Sequence, residues 1–316
     1  MANSQPPFLP EATDPCSAWL FPGQGAQEVG MGRDLCRDSA AARLVFETAD
    51  AVLGYALSEI CFAGPEERLR DTEYAQPAIF TTSLASLAAA VECGAVTTRP
   101  GFMAGHSLGE YSALVAAGAL TLEDGLVLLQ QRARLMAEAG RQTDGTLAAI
   151  LGLDDAVVRD LCRDADVDVC NMNLPTQTVI GGARENVVKA IWLAKERGAS
   201  RALELNVSGA FHSRLMKPAV TGLTKAVSAA KIASPGVPVV ANASATVLAD
   251  ANAVRHELVE QIASPVRWHE SVTLMATSDV TSFTEFGPGK VLSGLVKRLT
   301  PGARIANIGS MADIKS

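Results

Sequence analysis

Residues 102–118 read FMAGHSLGEYSALVAAG, and this stretch decides the fold. The apolar run 102–105 predicts a buried strand, and residues 108–117 predict a helix. Between them, the glycines of the Gly105-His106-Ser107-Leu108-Gly109 motif allow a sharp, strained turn, in which a side chain at either glycine would clash. Such a turn lifts the serine hydroxyl clear of the sheet, with a helix N-terminus behind it. The motif predicts a nucleophilic serine; the alternative is a glycine-rich turn that only packs closely.

Outward from this motif, predicted strands alternate with predicted helices, which is typical of an α/β domain with a mostly parallel sheet. Between residues 140 and 208 the order changes to β-α-β-β-α-β, the ferredoxin-like signature. We therefore expect a large α/β domain, residues 17–139 and 209–310, interrupted by a small ferredoxin-like domain, residues 140–208. Residues 1–16 are expected to be a flexible extension. The predicted strands are 17–21, 102–105, 146–151, 167–172, 177–181, 201–207, 237–242, 280–286 and 304–308.

Composition excludes several classes of protein. The chain has 316 residues, 48% hydrophobic and 19% charged, which is enough for a sizeable core and too few charges for a disordered protein. Aromatic residues are scarce at 5%, and the net charge is −7, both of which argue against nucleic-acid binding. The charge is unevenly distributed: residues 1–188 hold 12 basic and 25 acidic residues, and residues 189–316 hold 15 basic and 9 acidic residues.

The sequence also indicates a compartment. The six cysteines contain no CxxC pair and are expected to be free thiols in a reducing environment. No secretory signal pattern is visible at the start of the chain. The uncharged run 74–91 contains several polar residues, so it predicts a buried helix beginning near Pro77 rather than a membrane span. We expect a soluble, cytoplasmic protein.

A nucleophilic serine needs a base, and the chain has four histidines. His212 follows a predicted strand and precedes a predicted helix, where an α/β fold presents functional loops. His106 adjoins the serine and is expected to orient the turn, whereas His256 and His269 lie in helix-like surface contexts. His212 is the predicted base, with a structural loop histidine as the alternative. No HExxH motif or His/Cys cluster with ligand spacing occurs, so no metal site is expected.

Two glycine-rich stretches could be mistaken for phosphate-binding loops. Residues 22–25 fail the GxGxxG pattern because Glu28 occupies its last position. Residues 287–290 fail the Walker pattern because Val291 follows the lysine. The first turn could instead present a backbone N–H to an oxyanion.

Six blocks now occur in order along the chain: FPGQG at 21–25, GHSLGEYSALVAAG at 105–118, QQRARLM at 130–136, GAFHS at 209–213, QIASPVRW at 261–268 and EFGPGKVLSGL at 285–295. Together they resemble the malonyl-CoA:acyl-carrier-protein transacylase family, which includes stand-alone enzymes and the acyltransferase domains of polyketide synthases. The resemblance runs from about residue 19 to 308. It implies an α/β fold in which a hydrolase-like domain with a mostly parallel sheet carries an inserted ferredoxin-like small domain.

The resemblance implies roles at the matching positions. Ser107 would be the acylated nucleophile, and His212 its general base and acid. The backbone N–H groups of Gln24 and Leu108 would form the oxyanion hole, and Arg132 would hold the malonyl carboxylate. Three further positions match: Gln261, whose main-chain carbonyl would orient the histidine; Asn173, near the site; and Phe211, which favours malonyl over methylmalonyl.

The implied activity is transfer of a malonyl group from malonyl-CoA to the phosphopantetheine thiol of an acyl carrier protein, through a malonyl-serine intermediate in a ping-pong reaction. Malonyl-CoA is then a substrate, and no bound cofactor is expected. The carrier protein is the expected partner of a monomer that binds neither nucleic acid nor membrane. Fatty-acid synthesis, polyketide synthesis and malonate decarboxylation all remain open as pathways.

Two other functions compete with this activity. In a serine acyl hydrolase or editing thioesterase of the same fold, water would take the acyl group. In a non-catalytic docking module, the site residues would carry no chemistry. Arg132 favours the transferase, because editing hydrolases of the family that the chain resembles tend to lose this arginine. A guanidinium pairs bidentately with a carboxylate, so it would select an acyl group that ends in one. From its sequence position alone, Arg132 could instead be a charge on a helix surface or part of a structural ion pair.

The family's carrier proteins are acidic, so a net charge of −7 should repel them. We therefore expect some of the basic residues of segment 189–316 to form a rim at the cleft that steers the carrier and the CoA phosphates. The candidates for this rim are nine cations of that segment: Lys189, Lys195, Arg197, Arg201, Arg214, Lys217, Lys290, Lys297 and Arg298. Charge reversal at Arg214, Lys217 and Lys290 would test it.

Overall fold

Two β-sheets organise the chain in the computed structural model, which describes residues 8–315. The strands are β1 (Thr13–Phe21), β2 (Arg99–Gly105), β3 (Gly145–Leu151), β4 (Asp168–Leu174), β5 (Gln177–Ala183), β6 (Arg201–Glu204), β7 (Val239–Val240), β8 (Ser282–Phe286) and β9 (Arg304–Ile308). The first sheet has the order β7-β2-β1-β8-β9 and the second has the order β4-β5-β3-β6.

Helices connect the strands and cover the sheets. They are α1 (Arg33–Asp38), α2 (Ala40–Leu53), α3 (Leu57–Ala63), α4 (Glu66–Arg70), α5 (Thr72–Glu92), α6 (Gly109–Ala116), α7 (Leu122–Gln142), α8 (Asp155–Ala165), α9 (Arg184–Glu196), α10 (Lys217–Ala229), α11 (Ala251–Glu260), α12 (Trp268–Thr277), α13 (Val291–Leu299) and α14 (Met311–Lys315). Short 3₁₀ turns at Arg214–Met216 and Gln261–Ala263 precede α10 and follow α11.

The five-stranded sheet is parallel throughout and is buried on both faces. Along β1, Trp19 and Phe21 join the core formed by α2, α5, α6, α7 and α10, whereas Ala18 and Leu20 face the core formed by α12 and α13. Side chains alternate between the two faces of a strand, so a strand covered on both sides is apolar at successive positions. This explains the continuous run Ala-Trp-Leu-Phe at residues 18–21.

The four-stranded sheet is antiparallel, with α8 and α9 packed on one face. Its strands follow the chain order β3-α8-β4-β5-α9-β6, which is the ferredoxin-like arrangement. The predicted fold class is therefore confirmed: an α/β molecule with a parallel sheet and a separate ferredoxin-like unit.

The small sheet is joined to the large unit by main-chain hydrogen bonds. The N–H of Met172 in β4 donates to the carbonyl of Val266 (2.8 Å), and the N–H of Val266 donates to the carbonyl of Cys170 (2.8 Å). Nearby, His269 Nε2 lies 3.0 Å from Asp155 Oδ2. Strand β4 is thereby held beside segment 264–267, which carries part of the site described below.

The structure corrects several predicted boundaries. Of the predicted flexible extension 1–16, residues 13–16 belong to β1, because Thr13 and Asp14 pair with the start of β2. Residues 1–7 lie outside the described residues. The strand predicted at 237–242 shortens to the two residues of β7.

The buried helix predicted to begin near Pro77 begins five residues earlier, at Thr72. Asp71 caps it by accepting a hydrogen bond from the N–H of Glu73 (2.9 Å), so an acidic N-cap decides this boundary rather than the proline. In the part of the chain that the structure describes, no helix combines the length and apolar character needed to cross a bilayer.

Candidate active site

Ser107 stands on a sharp turn between the end of β2 at Gly105 and the start of α6 at Gly109. Its φ of 54° is in the left-handed region, which non-glycine residues adopt only under strain. A Cβ at Gly105 would lie 1.9 Å from the carbonyl oxygen of Gly109, and a Cβ at Gly109 would lie 2.1 Å from the carbonyl oxygen of Phe21. Both positions therefore require glycine, and the turn has the geometry of a nucleophile elbow.

Asn242 holds this turn from both sides, and the sequence analysis missed it. Its Oδ1 accepts a hydrogen bond from the N–H of Ser107 (2.7 Å), and its Nδ2 donates to the carbonyl of Gly105 (2.7 Å). The side chain is buried. Its position was a usable signal, because Asn242 ends a predicted strand and the carboxyl ends of parallel strands collect functional polar groups.

His212 lies directly against the serine. Its Nε2 is 2.7 Å from Ser107 Oγ, and its Nδ1 is 2.9 Å from the main-chain carbonyl oxygen of Gln261 and 3.2 Å from that of Ser264. A ring whose Nδ1–H donates to carbonyls presents an unprotonated Nε2 to the hydroxyl. Burial, followed by the nearby charge of Arg132, lowers the pKa of His212 to about 3. The imidazole is thus neutral near pH 7 and able to accept a proton.

Arg132, on α7, is a buried cation at the same hydroxyl, with 1% of the residue exposed. Its Nη2 donates to Ser107 Oγ (3.0 Å) and to Gln261 Oε1 (2.7 Å), and its Nη1 donates to Gln76 Oε1 (2.6 Å). No carboxylate within residues 8–315 lies at ion-pair distance, and Nε has no partner among those residues. A surface charge and a structural ion pair are therefore both wrong for Arg132. A buried guanidinium with uncharged partners and a free donor is suited to an anionic ligand.

Gln24 and Leu108 both line the cleft in front of the serine. The turn that carries Gln24 packs on the elbow, because a Cβ at Gly23 would lie 2.7 Å from the carbonyl oxygen of His106. Within residues 8–315, neither the Gln24 nor the Leu108 main-chain N–H donates to a protein acceptor. Both N–H groups are therefore available as donors in front of the serine. The oxyanion hole itself stays a prediction.

Asn173 and Phe211 occupy different places. Asn173 Oδ1 lies 2.9 Å from His106 Nε2, so Asn173 supports the elbow. Within residues 8–315 its side chain makes no hydrogen bond to the serine, His212 or Arg132. Phe211 is buried and lines the cleft. Asn171, also from β4, lines the cleft, and its Oδ1 has no hydrogen-bond partner among residues 8–315.

None of the three remaining histidines makes a side-chain hydrogen bond to the serine within residues 8–315. His106 packs against the Trp268 ring (5.6 Å between centroids), and burial lowers its pKa. His256 is exposed, as predicted. The surface expectation for His269 is wrong, since this side chain meets Asp155 between the two units and is only 15% exposed. Among residues 8–315, no group of three or more His, Cys, Asp or Glu side chains could hold a metal ion.

The cleft has a volume of about 850 Å³ and is bounded by both units, with Ser107, Arg132 and His212 among its lining residues. The cleft lining does not support the predicted basic rim, since none of its nine candidate cations is a lining residue. Arg214, Lys217 and Lys290 do not line the cleft, and Arg214 is occupied by Asp166 and Asp168. The exposed cations of the lining are Arg70 and Arg141, beside four acidic side chains: Glu28, Glu66, Glu67 and Asp71.

Comparison with known proteins adds an independent result. Residues 18–311 match the family model described as an acyl transferase domain. The malonyl CoA-acyl carrier protein transacylase of Bacillus subtilis is 46% identical over 287 residues, which cover 89% of this chain and 90% of that protein.

Solved structures agree with the sequence matches. An acyl carrier protein S-malonyltransferase from Vibrio cholerae superposes with a TM-score of 0.91 at 38% identity, covering 95% of this chain and 99% of that one. A malonyl-transacylase in complex with a type II PKS acyl-carrier protein superposes with a TM-score of 0.90 at 38% identity, covering 95% of this chain and 97% of that one.

Proposed function

The chain belongs to the acyl transferase family of malonyl-CoA:acyl-carrier-protein transacylases, and from this premise we propose that it moves a malonyl group from malonyl-CoA to the phosphopantetheine thiol of an acyl carrier protein. The observation that carries the proposal is Arg132, a buried guanidinium 3.0 Å from the Ser107 hydroxyl and without a carboxylate partner in the described chain. Its uncompensated charge favours an acyl group that ends in a carboxylate.

In the first half-reaction, Ser107 Oγ attacks the thioester carbonyl carbon while His212 Nε2 takes the hydroxyl proton. The oxyanion that develops is stabilised by the N–H groups of Gln24 and Leu108. The carbon–sulfur bond then breaks, and the histidine returns its proton to the departing CoA sulfur. The product is a malonyl ester on the serine.

The second half-reaction reverses these roles with another thiol. His212 takes the proton of the carrier's phosphopantetheine thiol, whose sulfur attacks the ester carbonyl. The carbon–oxygen bond to Ser107 breaks, and the proton returns to the serine oxygen. The carbonyl of Gln261 keeps the ring in the required tautomer through Nδ1, in the place where other serine enzymes use a carboxylate.

A carboxylate at Nδ1 would stabilise the imidazolium more strongly than a carbonyl does. With the carbonyl, and with its pKa lowered by burial, the ring is a weak base, which suits a thiol nucleophile that ionises far more easily than water. This is one physical reason to place thiol transfer above hydrolysis. A malonyl-transacylase has also been solved with an acyl-carrier protein, which supports a carrier as the acceptor.

Incubation of the protein with radiolabelled malonyl-CoA, with and without a phosphopantetheinylated carrier, tests this function. We expect label on the carrier at a rate that exceeds release of free malonate. Malonate release at the same rate with and without the carrier would instead identify a hydrolase.

A further inference from the structure

Glu110 is a buried carboxyl group that the proposed mechanism does not use. It lies on α6, one helical turn after Ser107, and has no exposed surface. Its Oε2 accepts a hydrogen bond from Gln261 Nε2, and its Oε1 has no protein partner in the described chain. Burial, and then the charge of Glu257, raise the pKa of Glu110 well above its ordinary value. A group of this kind in a core needs a specific reason for its presence.

The side-chain amide of Gln261 lies between Glu110 and the guanidinium of Arg132. Its oxygen, Oε1, accepts from Arg132 Nη2 (2.7 Å). Its nitrogen, Nε2, donates to Glu110 Oε2 and to the main-chain carbonyl of Ser107 (3.0 Å). The side-chain amide thus separates Glu110 from Arg132. The main-chain carbonyl of the same residue, Gln261, accepts the hydrogen bond from His212 Nδ1.

An amide has one accepting and one donating end, so it can satisfy these neighbours in a single orientation. If the amide were flipped, its oxygen would face two acceptors and its NH₂ group would face the guanidinium. Glu110 supplies one of the two acceptors that oppose this flip. A direct pair between Glu110 and Arg132 would neutralise the cation, whereas the interposed amide satisfies Nη2 without adding a negative charge.

We infer that Glu110 is a positioning residue of the anion subsite: it fixes the amide of Gln261 in the orientation that leaves Arg132 charged and directed at a substrate carboxylate. The inference rests on the proposed malonyl transfer and deepens it. It assigns selectivity for acyl groups that carry a carboxylate to a residue that does not contact the substrate.

The test compares Glu110→Leu with Glu110→Gln for malonyl-CoA and acetyl-CoA. Glutamine keeps an accepting oxygen, whereas leucine removes it. We expect E110L to lower malonyl kcat/KM by about tenfold or more, mainly through KM, because a misoriented amide disturbs a charge-assisted contact. Acetyl kcat/KM should change by less than about threefold, and E110Q should stay close to the unmodified protein for both substrates.

A matched control is Glu285→Leu. Glu285 is also a buried glutamate, but it accepts from the N–H groups of Leu292 and Ser293 and contacts none of Ser107, Arg132 or Gln261. Its loss should lower stability and leave the malonyl-to-acetyl ratio unchanged. If E110L does not fold, Gln261→Met carries the test, since it removes the amide and keeps the main-chain carbonyl.

Each outcome has a defined meaning. A selective loss of malonyl transfer in E110L, with E110Q active, supports the inference. A folded Q261M protein that keeps the unmodified ratio overturns it, because the amide that Glu110 holds would then have no role in selectivity. An unchanged malonyl-to-acetyl ratio in the folded variant, or an E110Q protein as impaired as E110L, overturns it. An unmodified protein that transfers no malonyl group overturns the proposed function itself.

Discussion

At the scale of single residues, the Ser107 hydroxyl lies between a buried cation and a neutral base. Ser107 Oγ accepts from the guanidinium of Arg132 and lies within donating distance of the imidazole of His212. Burial, and after it the nearby cation, lowers the pKa of His212, so the histidine is neutral and ready to act as a base. In the proposed reaction the same cation would anchor the malonyl carboxylate, and a bound carboxylate would offset its charge during acyl transfer.

The role of Arg132 is testable by truncation. Arg132→Ala should lower malonyl kcat/KM by about a hundredfold or more while changing acetyl kcat/KM little, because only malonyl carries the carboxylate. Steady-state kinetics with both CoA esters measures this. Arg134→Ala, two residues along α7 and exposed, is the control. Equal losses for malonyl and acetyl would contradict the selectivity argument.

The histidine predicts a pH dependence. His212 has an ordinary pKa of 6.5 and a pKa of about 3 in the folded protein, so the base remains unprotonated well below pH 6.5. In a pH profile of malonyl kcat/KM measured between about pH 4 and 8, the midpoint of the acid limb should therefore lie below pH 6.5. An acid limb centred at or above pH 6.5 would contradict it.

The same shift affects stability. Between pH 6.5 and 3 the unfolded chain binds a proton on this histidine that the folded chain excludes. The histidine's contribution to the free energy of unfolding is therefore complete above pH 6.5 and is lost as the pH falls through that window. His212→Gln should show a weaker loss over this window in urea titrations.

At the scale of elements, the elbow between β2 and α6 depends on residues from three parts of the chain. The two glycines allow the backbone to turn, and the main chain of Phe21 packs against Gly109. Asn242 forms hydrogen bonds with the N–H of Ser107 and the carbonyl of Gly105, which the turn leaves without main-chain partners in the described chain. Strain at Ser107 is thus balanced by contacts from β1 and from the segment after β7.

Replacing Asn242 should test this support. Asn242→Ala leaves the Ser107 N–H and the Gly105 carbonyl without partners, so the free energy of unfolding should fall by about 1–3 kcal/mol. Malonyl and acetyl kcat/KM should fall together, because the elbow serves both substrates. Asn252→Ala, at an exposed position of α11, is the control. A loss confined to malonyl would place Asn242 in the anion subsite instead.

The sequence predicts the elbow well, because glycine spacing and the strand-to-helix change are local signals. It predicts the partners of the elbow poorly. Asn242 was indicated only by its place at the end of a predicted strand. The contacts of Gln76 with Arg132 and of Glu110 with Gln261 join distant parts of the chain, so the local sequence does not predict them. The family resemblance supplied Arg132 and Gln261, but not the amide bridge between Gln261 and Glu110.

At the scale of the whole molecule, the cleft lies between the parallel sheet and the ferredoxin-like unit. The uneven charge along the sequence suggested a basic rim from segment 189–316, but none of the nine candidate cations is a lining residue of the cleft. Arg214, for example, forms ion pairs with Asp166 and Asp168, two residues of the small unit. A charge count by segment does not reveal which side chains fold around an opening.

Arg70 and Arg141, the exposed cations among the described lining residues of the cleft, are expected to attract the CoA phosphates. Each is exposed and pairs with one glutamate. An exposed pair of this kind is weak, so the arginine can still attract phosphate groups. Reversing both to Glu should raise the malonyl-CoA KM several-fold at low salt, with a smaller effect at high salt. Reversing Lys217 and Lys290, the same number of charges, should leave KM unchanged. Equal effects from the two pairs would contradict a local role for the cleft cations.

The most direct test of the account is intact-mass measurement of the protein after brief exposure to malonyl-CoA. We predict a single malonyl adduct, mapped to Ser107 by peptide sequencing, that disappears when a phosphopantetheinylated carrier is added and reappears on the carrier. Ser107→Ala should form no adduct. An adduct that persists in Ser107→Ala, or malonyl transfer by that variant at the unmodified rate, would contradict the account.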